Sequence, residues 1–134
     1  MFFEEACNKG SAFVKVAIVK EVIVGFVLCH TDFETALKWA DRELTASLQT
    51  KHNAYIELIE VDLSHRRNGL GKMLLEGVEV EAKTRWKTKL WLHVRCSNKT
   101  AVSFYETLGW AVEELQCPQW MSGADVFLLS KQVL

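Results

Sequence analysis

Residues Val61 to Leu75 read VDLSHRRNGLGKMLL. A β-rich run ends at Val61, a turn with two arginines and two glycines follows, and apolar residues then recur at helical spacing. The pattern Arg66-x-x-Gly69-x-Gly71 therefore lies where a strand passes into a helix. Unpaired backbone N–H groups and the positive end of the helix dipole converge at such a place. The stretch predicts an anion-binding turn.

Two common phosphate-binding motifs do not fit this turn. A P-loop requires a glycine five residues before the Gly71-Lys72 pair, where Arg66 stands, and a serine or threonine after it. A dinucleotide fingerprint requires a third glycine at the position of Leu74. A pyrophosphate still fits, because Arg66, Arg67 and Lys72 add positive charge and the turn offers many donors. The alternative is a simple tight turn with solvated arginines, which is common in α/β folds.

Strand and helix patterns surround the turn on both sides. Segment 13–30 is rich in Val and Ile and is interrupted at Lys20-Glu21, which predicts a hairpin. Segment 54–62 is typical of a buried strand, and segment 89–96 returns to strand character after a helix that ends near Arg85. Strand, helix and strand in this order form a βαβ unit. The pattern then predicts a helix over 98–108, with Asn98 as its N-cap and Gly109 as the glycine after its end, and two further strands over 110–116 and 124–131.

The remaining segments lie in the first half of the chain. Residues 1–12 are interpreted as the last turn or two of a helix. Residues 32–50 carry apolar side chains at three- and four-residue spacing, and Thr31 with Glu34 forms a capping-box signature at their start. The sequence therefore predicts a single domain over 1–134, with a shortened N-terminal region and an extra helix at about 32–50.

Composition argues against several classes of protein. The 16 basic and 17 acidic residues leave a net charge of −1, so no general field attracts nucleic acid or an anionic membrane. No apolar run reaches the ~18 residues of a membrane span. The 4 cysteines form no C-x-x-C pair, and nothing resembles a signal peptide, which predicts a cytoplasmic protein with reduced thiols. Histidines and cysteines show no metal-ligand spacing, so no metal is expected.

Two ordered motifs resemble the GNAT superfamily of acetyl-CoA-dependent N-acetyltransferases. The first, VDLSHRRNGLG, matches the family pattern V-x-x-x-x-[RQ]-x-x-G-x-[GA] at Val61, Arg66, Gly69 and Gly71. The second, LWLHVRCSNKTAVSFYETLGW, matches the family's later block at Asn98, Ala101, Tyr105 and Gly109. Within 89–110 the chain is similar to bacterial enzymes that acetylate the N-terminal amine of a ribosomal protein. Leu63 departs from the family, which commonly has proline there.

The resemblance implies the fold and the cosubstrate. The fold would be α/β, with a mixed, mostly antiparallel central sheet, flanking helices and a parallel strand pair that splays apart. Acetyl-CoA would place its pyrophosphate on the glycine turn and its pantetheine arm beside the preceding strand. The cofactor-binding residues implied in this way are Ile59, Val61, Arg66, Arg67, Asn68, Gly69, Leu70, Gly71, Lys72, Asn98 and Tyr105.

Three residues are candidates for catalysis. Tyr105 matches a tyrosine that family members often use as the acid for the departing thiolate, with core packing as the alternative role. His93 stands where the ribosomal-protein acetyltransferases carry a catalytic glutamate, and an imidazole titrates near neutrality. Glu57 is the rival base, because other family members place a glutamate on this strand. Strand alternation puts Glu57 on the same face as Ile59 and puts Glu60 on the other face.

The resemblance implies direct attack of a primary amine on the thioester, without an acyl-enzyme. The acceptor would be a peptide N-terminus, a lysine or a small-molecule amine, and a second copy of the chain is a candidate partner that would complete the acceptor wall. The alternative function is a module that binds coenzyme A or acyl-CoA without catalysis. Two features favour it, the largely absent family opening and His93 in place of glutamate.

Overall fold

The computed structural model describes residues 2–9, 12–31, 51–117 and 123–133. Seven strands lie in this part of the chain: β1 Phe2–Lys9, β2 Ala12–Val19, β3 Val22–His30, β4 Asn53–Val61, β5 Lys89–Arg95, β6 Ala111–Gln116 and β7 Val126–Gln132. The described helices are α1 Leu70–Thr84 and α2 Lys99–Thr107, and a short 3₁₀ turn spans Leu63–His65. None of the described helices is both long and apolar enough to cross a membrane.

The strands form one sheet in the order β1-β2-β3-β4-β5-β7-β6. Each neighbouring pair is antiparallel except β4 and β5, which are parallel. The predicted hairpin is confirmed, because β2 and β3 pair on either side of a turn in which Lys20 and Glu21 have positive φ. The mixed, mostly antiparallel α/β fold expected from the sequence is therefore confirmed.

The N-terminal segment corrects one expectation. Residues 2–9 form a strand that pairs antiparallel with β2, with a bulge between Glu5 and Cys7, so the interpretation of residues 1–12 as the end of a helix was wrong. The open edge of β2 supplies backbone partners for a neighbouring strand, and this long-range pairing outweighs local preference. The helix predicted at about 32–50 lies outside the described residues, and Trp39 lies there with it.

Helix α1 packs its apolar face on the central strands of the sheet. Its buried side chains recur at helical spacing and are Leu70, Leu74, Leu75, Val78 and Ala82. Gly25 of β3 permits this close packing, because a Cβ there would lie 3.0 Å from the carbonyl oxygen of Glu60 and 3.3 Å from Leu74 Cδ1. The absence of a side chain at Gly25 thus lets β3, β4 and α1 approach one another closely.

Helix α2 begins and ends at the residues that the sequence indicates. The Asn98 side chain caps it by accepting a hydrogen bond from the Ala101 N–H at 3.2 Å. Gly109 follows the helix with φ +92°, a conformation that favours glycine. Trp91 and Trp110 are buried. Helix α2 therefore lies against the core and beside the start of α1.

Candidate active site

The parallel strands β4 and β5 form a fork. They pair at only four positions, from Asn53 with Lys89 to Ile56 with Leu92. Beyond that point β4 stays paired with β3 as far as Val61, and β5 stays paired with β7 as far as Arg95. The edge of β4 that faces the fork over residues 57–61 therefore has no strand partner among the described residues. Such an edge can accept an extended group as an additional strand.

A β-bulge lies at the point where the fork opens. Cys29 pairs with Ile56 and Leu28 pairs with Leu58, so Glu57 is the extra residue on β4. A bulge bends its strand and re-aims the side chains near it. Here it accompanies the divergence of β4 from β5 and places Glu57 directly after the last paired residue.

The bulge also corrects the predicted direction of Glu57. His30 Nε2 donates to Glu57 Oε2 at 3.2 Å, and His30 lies opposite Tyr55 in the β3–β4 register. Ile59 instead packs against the apolar core beneath the helices. Glu57 therefore shares a face with His30 and Tyr55, and the expectation that it shares one with Ile59 was wrong. Glu60 lies between the core residues Ile59 and Val61 and faces the same way as Glu57, so the expectation that these two glutamates face opposite ways was also wrong. Strict alternation fails here because the bulge adds one residue to the strand.

The glycine turn leaves a row of backbone donors open. Within the described part of the chain, no hydrogen bond occupies the amides of residues 67–72, and the first helical bond runs from Met73 N–H to the Gly69 carbonyl at 3.1 Å. Gly69 caps α1 with φ +77°, and Arg67 also has positive φ. Successive amides at a helix start form a concave site for an anion.

The two glycines of the turn have different roles. A Cβ on Gly69 would meet nothing within 4 Å, so its backbone conformation explains the glycine. A Cβ on Gly71 would lie 3.2 Å from Phe104 Cζ, so close packing of α2 on α1 explains that glycine. Gly71 is among the residues implied to bind the cosubstrate, and the close packing of α2 gives it a second role.

Three basic side chains flank the open amides. The Arg66 Nε–H donates to the Val61 carbonyl at 3.1 Å and ties the turn to the end of β4. Arg67 and Lys72 are exposed and form no ion pair with the described residues. Their charge is available to an anion seated on the turn.

Tyr105 lies on the helix side of the sheet, within the apolar core. It is 7% exposed, and its ring makes edge contacts with Phe104 and Trp110 at centroid distances of 5.3 and 5.7 Å. Burial raises the pKa of the Tyr105 phenol to about 12. Core packing and a protonated hydroxyl therefore coexist at this residue, so the two roles considered for it are compatible.

His93 lies on the opposite side of the sheet, at the first β5 position beyond the last β4–β5 pair. Its Nε2 lies 2.9 Å from Gln116 Oε1, and its Nδ1 lies 2.7 Å from the Tyr55 hydroxyl. An amide oxygen only accepts, so Nε2 carries the proton and the Tyr55 O–H donates to Nδ1. Tyr55 is 1% exposed. Tyr55 was not predicted as a site residue. It lies opposite Trp91 in the β4–β5 register, and His93 follows two residues later on the same face of β5. Only the register between the two strands could have indicated this contact.

The catalytic candidates lie on two sides of the sheet. Glu57 and His93 follow the last paired residues on one face, and Tyr105 belongs to the core on the other face. Asn98 acts as the cap of α2. Among the described residues, no group of three or more His, Cys, Asp or Glu side chains is arranged to hold a metal ion.

The chain belongs to the acetyltransferase (GNAT) family, whose model matches residues 2–110. A [ribosomal protein bS18]-alanine N-acetyltransferase of Salmonella typhimurium is 51% identical over 51 residues, which is 38% of this chain and 34% of the relative. An N-alpha-acetyltransferase of Saccharolobus solfataricus is 25% identical over 97% of this chain and 74% of its own length. The chain therefore matches about a third of the first relative and most of the second.

A solved structure shares the fold. A structure from Bacillus anthracis, in complex with acetyl coenzyme A, has a TM-score of 0.74 at 21% identity, covering 93% of this chain and 64% of that one. GNAT acetyltransferases use acetyl-CoA as their cosubstrate. The family resemblance inferred from the two motifs is confirmed.

Proposed function

We propose that the protein is an acetyl-CoA-dependent N-acetyltransferase that moves the acetyl group to a primary amine by direct attack. One observation carries the proposal: β4 and β5 separate after Ile56 and Leu92, and the open amides of residues 67–72 follow the end of the same β4. A pyrophosphate on those amides directs the rest of the cosubstrate along the unpaired edge of β4. The thioester then lies in the fork, between the faces that carry Tyr105 and His93.

The cosubstrate occupies the helix side in this proposal. The pyrophosphate takes the amides of the turn together with Arg67 and Lys72, and the pantetheine amides pair with the free edge of β4. The remaining residues proposed to contact it are Ile59, Val61, Arg66, Asn68, Leu70 and Asn98. When the carbon–sulfur bond breaks, the thiolate takes a proton from Tyr105.

The acceptor enters from the opposite face. Its ammonium gives one proton to the Tyr55 oxygen while the Tyr55 proton moves to His93 Nδ1, and the imidazolium formed keeps its Nε2–H on Gln116. The free amine then attacks the thioester carbon. After the attack the nitrogen loses a second proton, which replaces the proton that Tyr105 gives to the thiolate. Tyr105 is then a neutral phenol again, and His93 releases its proton to water. The names of the relatives make the α-amine of a peptide the first acceptor to test.

A thiol-release assay with acetyl-CoA tests the proposal. The acceptors are peptides with free N-termini, lysine-containing peptides and small amines, and the matched control is the same peptide already acetylated. We expect turnover that falls by about 10²–10⁴-fold in His93→Ala and in Tyr55→Phe, with a double variant no worse than the poorer single variant. Absence of turnover with every amine, despite stabilisation by acetyl-CoA, contradicts the proposal.

That last outcome would favour a module that binds coenzyme A without catalysis. The observation behind this second candidate is that both ring nitrogens of His93 are engaged. The homodimer and the cytoplasmic location stay predictions. Size measurement in solution checks the first, and fractionation of cells checks the second.

A further inference from the structure

The pair formed by His30 and Glu57 is not used by the proton path described above. His30 is 5% exposed and donates through Nε2 to Glu57 Oε2 at 3.2 Å, while its Nδ1 has no partner among the described residues. The Glu57 side chain is 17% exposed, and its second carboxylate oxygen forms no hydrogen bond with the described residues. One oxygen of the carboxylate is therefore held and the other is available.

The bulge fixes where this available oxygen lies. Glu57 is the extra residue of β4 and follows Ile56, the last residue paired with β5. Its link to His30 keeps it on the face that carries His93. A carboxylate therefore stands at the mouth of the fork, on the side from which the proposed reaction brings the amine.

An alkylamine reaches this site as a cation. The amino group of a lysine side chain titrates near 10.4 in water, so the protonated form is the one available for capture at neutral pH. A carboxylate held in one orientation binds an ammonium through a charge-assisted hydrogen bond. His93 and Tyr55 receive the proton afterwards. Glu57 and His93 were both candidates for the base. In this scheme they act in turn: Glu57 binds the ammonium, and His93 with Tyr55 then accepts its proton.

We propose that Glu57 binds the ammonium group of the acceptor, and that His30 is a positioning residue that holds the Glu57 carboxylate at the fork. The inference rests on the proposed N-acetyltransferase function and deepens it. It assigns the acceptor to amines that are cationic at neutral pH. It also assigns a role to His30, a buried histidine that shows no metal-ligand spacing in the sequence.

The test compares two acceptors that differ in charge. The first is the best alkylamine from the thiol-release panel, and the second is its aminooxy counterpart, which is neutral at neutral pH. The N-trimethylammonium analogue of the first serves as an inhibitor that cannot be acetylated. In Glu57→Gln we expect KM for the alkylamine to rise roughly tenfold or more, because a charge-assisted hydrogen bond is lost. Ki for the analogue, which has no N–H to donate, should also rise, because its cation loses the attraction of the carboxylate. KM for the aminooxy compound should change by less than about twofold, since a neutral acceptor forms no charge-assisted contact with the Glu57 carboxylate.

Variants of His30 test its positioning role. In His30→Leu we expect the same selective rise in KM, and His30→Gln should restore most of the wild-type value, because a glutamine amide also donates a hydrogen bond. The rise in His30→Leu should vanish when Glu57→Gln is already present. Glu60→Gln, an exposed carboxylate further along β4, is the matched control and should leave both values unchanged. Glu57→Gln alone decides the assignment if His30→Leu fails to fold.

Three results overturn the role of Glu57 and leave the proposed function intact, and a fourth overturns both. An equal loss of kcat with both acceptors at unchanged KM identifies Glu57 as the proton acceptor instead. An equal effect of Glu60→Gln and Glu57→Gln identifies a general negative field. If Glu57→Gln raises KM by the same factor for the alkylamine and for the aminooxy compound, Glu57 does not recognise the charge of the acceptor. If the wild type acetylates no amine although acetyl-CoA raises its Tm, the proposed function fails, and the present inference fails with it.

Discussion

Replacement of Tyr105 by phenylalanine separates the catalytic role of its hydroxyl from its packing role. The ring contacts with Phe104 and Trp110 are retained in the variant, and only the phenolic oxygen is lost. Turnover should fall by about 10²–10⁴-fold, which is typical for loss of a positioned acid. The free energy of unfolding near neutral pH should stay within about 1 kcal/mol of the wild type, since an apolar ring fills the same space.

The same variant has a second, independent signature in alkali. Burial raises the pKa of Tyr105 from 10.0 to about 12, so the phenol stays protonated in the folded chain while it ionises in the unfolded chain. Between those values the folded state binds more protons, so stability falls as pH rises. Each unit of difference corresponds to about 1.4 kcal/mol. At a pH about one unit above the unfolded value, Tyr105 should therefore cost the wild type about 1.4 kcal/mol, and Tyr105→Phe should escape that loss.

Urea unfolding near pH 8 and near pH 11 measures this difference, and thiol release measures turnover. The comparison of variant with wild type removes the contributions of other groups that titrate in alkali. A Tyr105→Phe enzyme with wild-type turnover refutes the role as acid. An equal loss of stability in both proteins between the two pH values refutes the burial argument, because the ionisable hydroxyl would then be solvated in the folded state.

Other perturbations test the turn, the helix cap and the core. Gly69→Ala should weaken acetyl-CoA binding measured by calorimetry, because a left-handed conformation costs a non-glycine residue about 1–2 kcal/mol, and Gly69→Asn should weaken it less. Asn98→Ala should lower the free energy of unfolding by about 1 kcal/mol in urea, since the Ala101 N–H loses its cap. Cys29 is fully buried and burial raises the pKa of its thiol to about 12, so a thiol reagent should modify it only after unfolding. Cys29→Ser should then leave the number of reactive thiols in the folded protein unchanged.

The sequence predicted most of the fold because its local signals agree with its long-range contacts. The hairpin interrupted at Lys20-Glu21, the capping residue Asn98 and the glycine after α2 each follow from chemistry within a few residues, and each is confirmed. The glycine turn was recognised in the same way. Residues 2–9 were misjudged because their strand depends on pairing with β2, which local pattern does not record.

The arrangement of the site depends on the register between neighbouring strands. This register was harder to predict from the sequence than the strands and helices themselves. One extra residue in β4 puts Glu57 and Ile59 on opposite faces of the sheet, and no local turn signal marks that bulge. Tyr55 meets His93 across two parallel strands, so their hydrogen bond joins residues 38 positions apart. Gly71 was assigned to anion binding, yet Phe104 of a later helix is what approaches it most closely. Each of these depends on a neighbour that is distant in sequence.

In the proposed reaction the two faces of the sheet have separate roles, one in binding acetyl-CoA and the other in selecting the amine. The amides of residues 67–72 and the Tyr105 phenol lie on the helix side, whereas His93, Tyr55, His30 and Glu57 share the other side. The proposed reaction joins these sides only at the fork, through the thioester carbon. Changes on the acceptor face should therefore alter the choice of amine while acetyl-CoA binding measured by calorimetry stays within about twofold. An acceptor-face variant such as Glu57→Gln that also abolished acetyl-CoA binding would contradict this separation, because it would show that both faces form one binding surface.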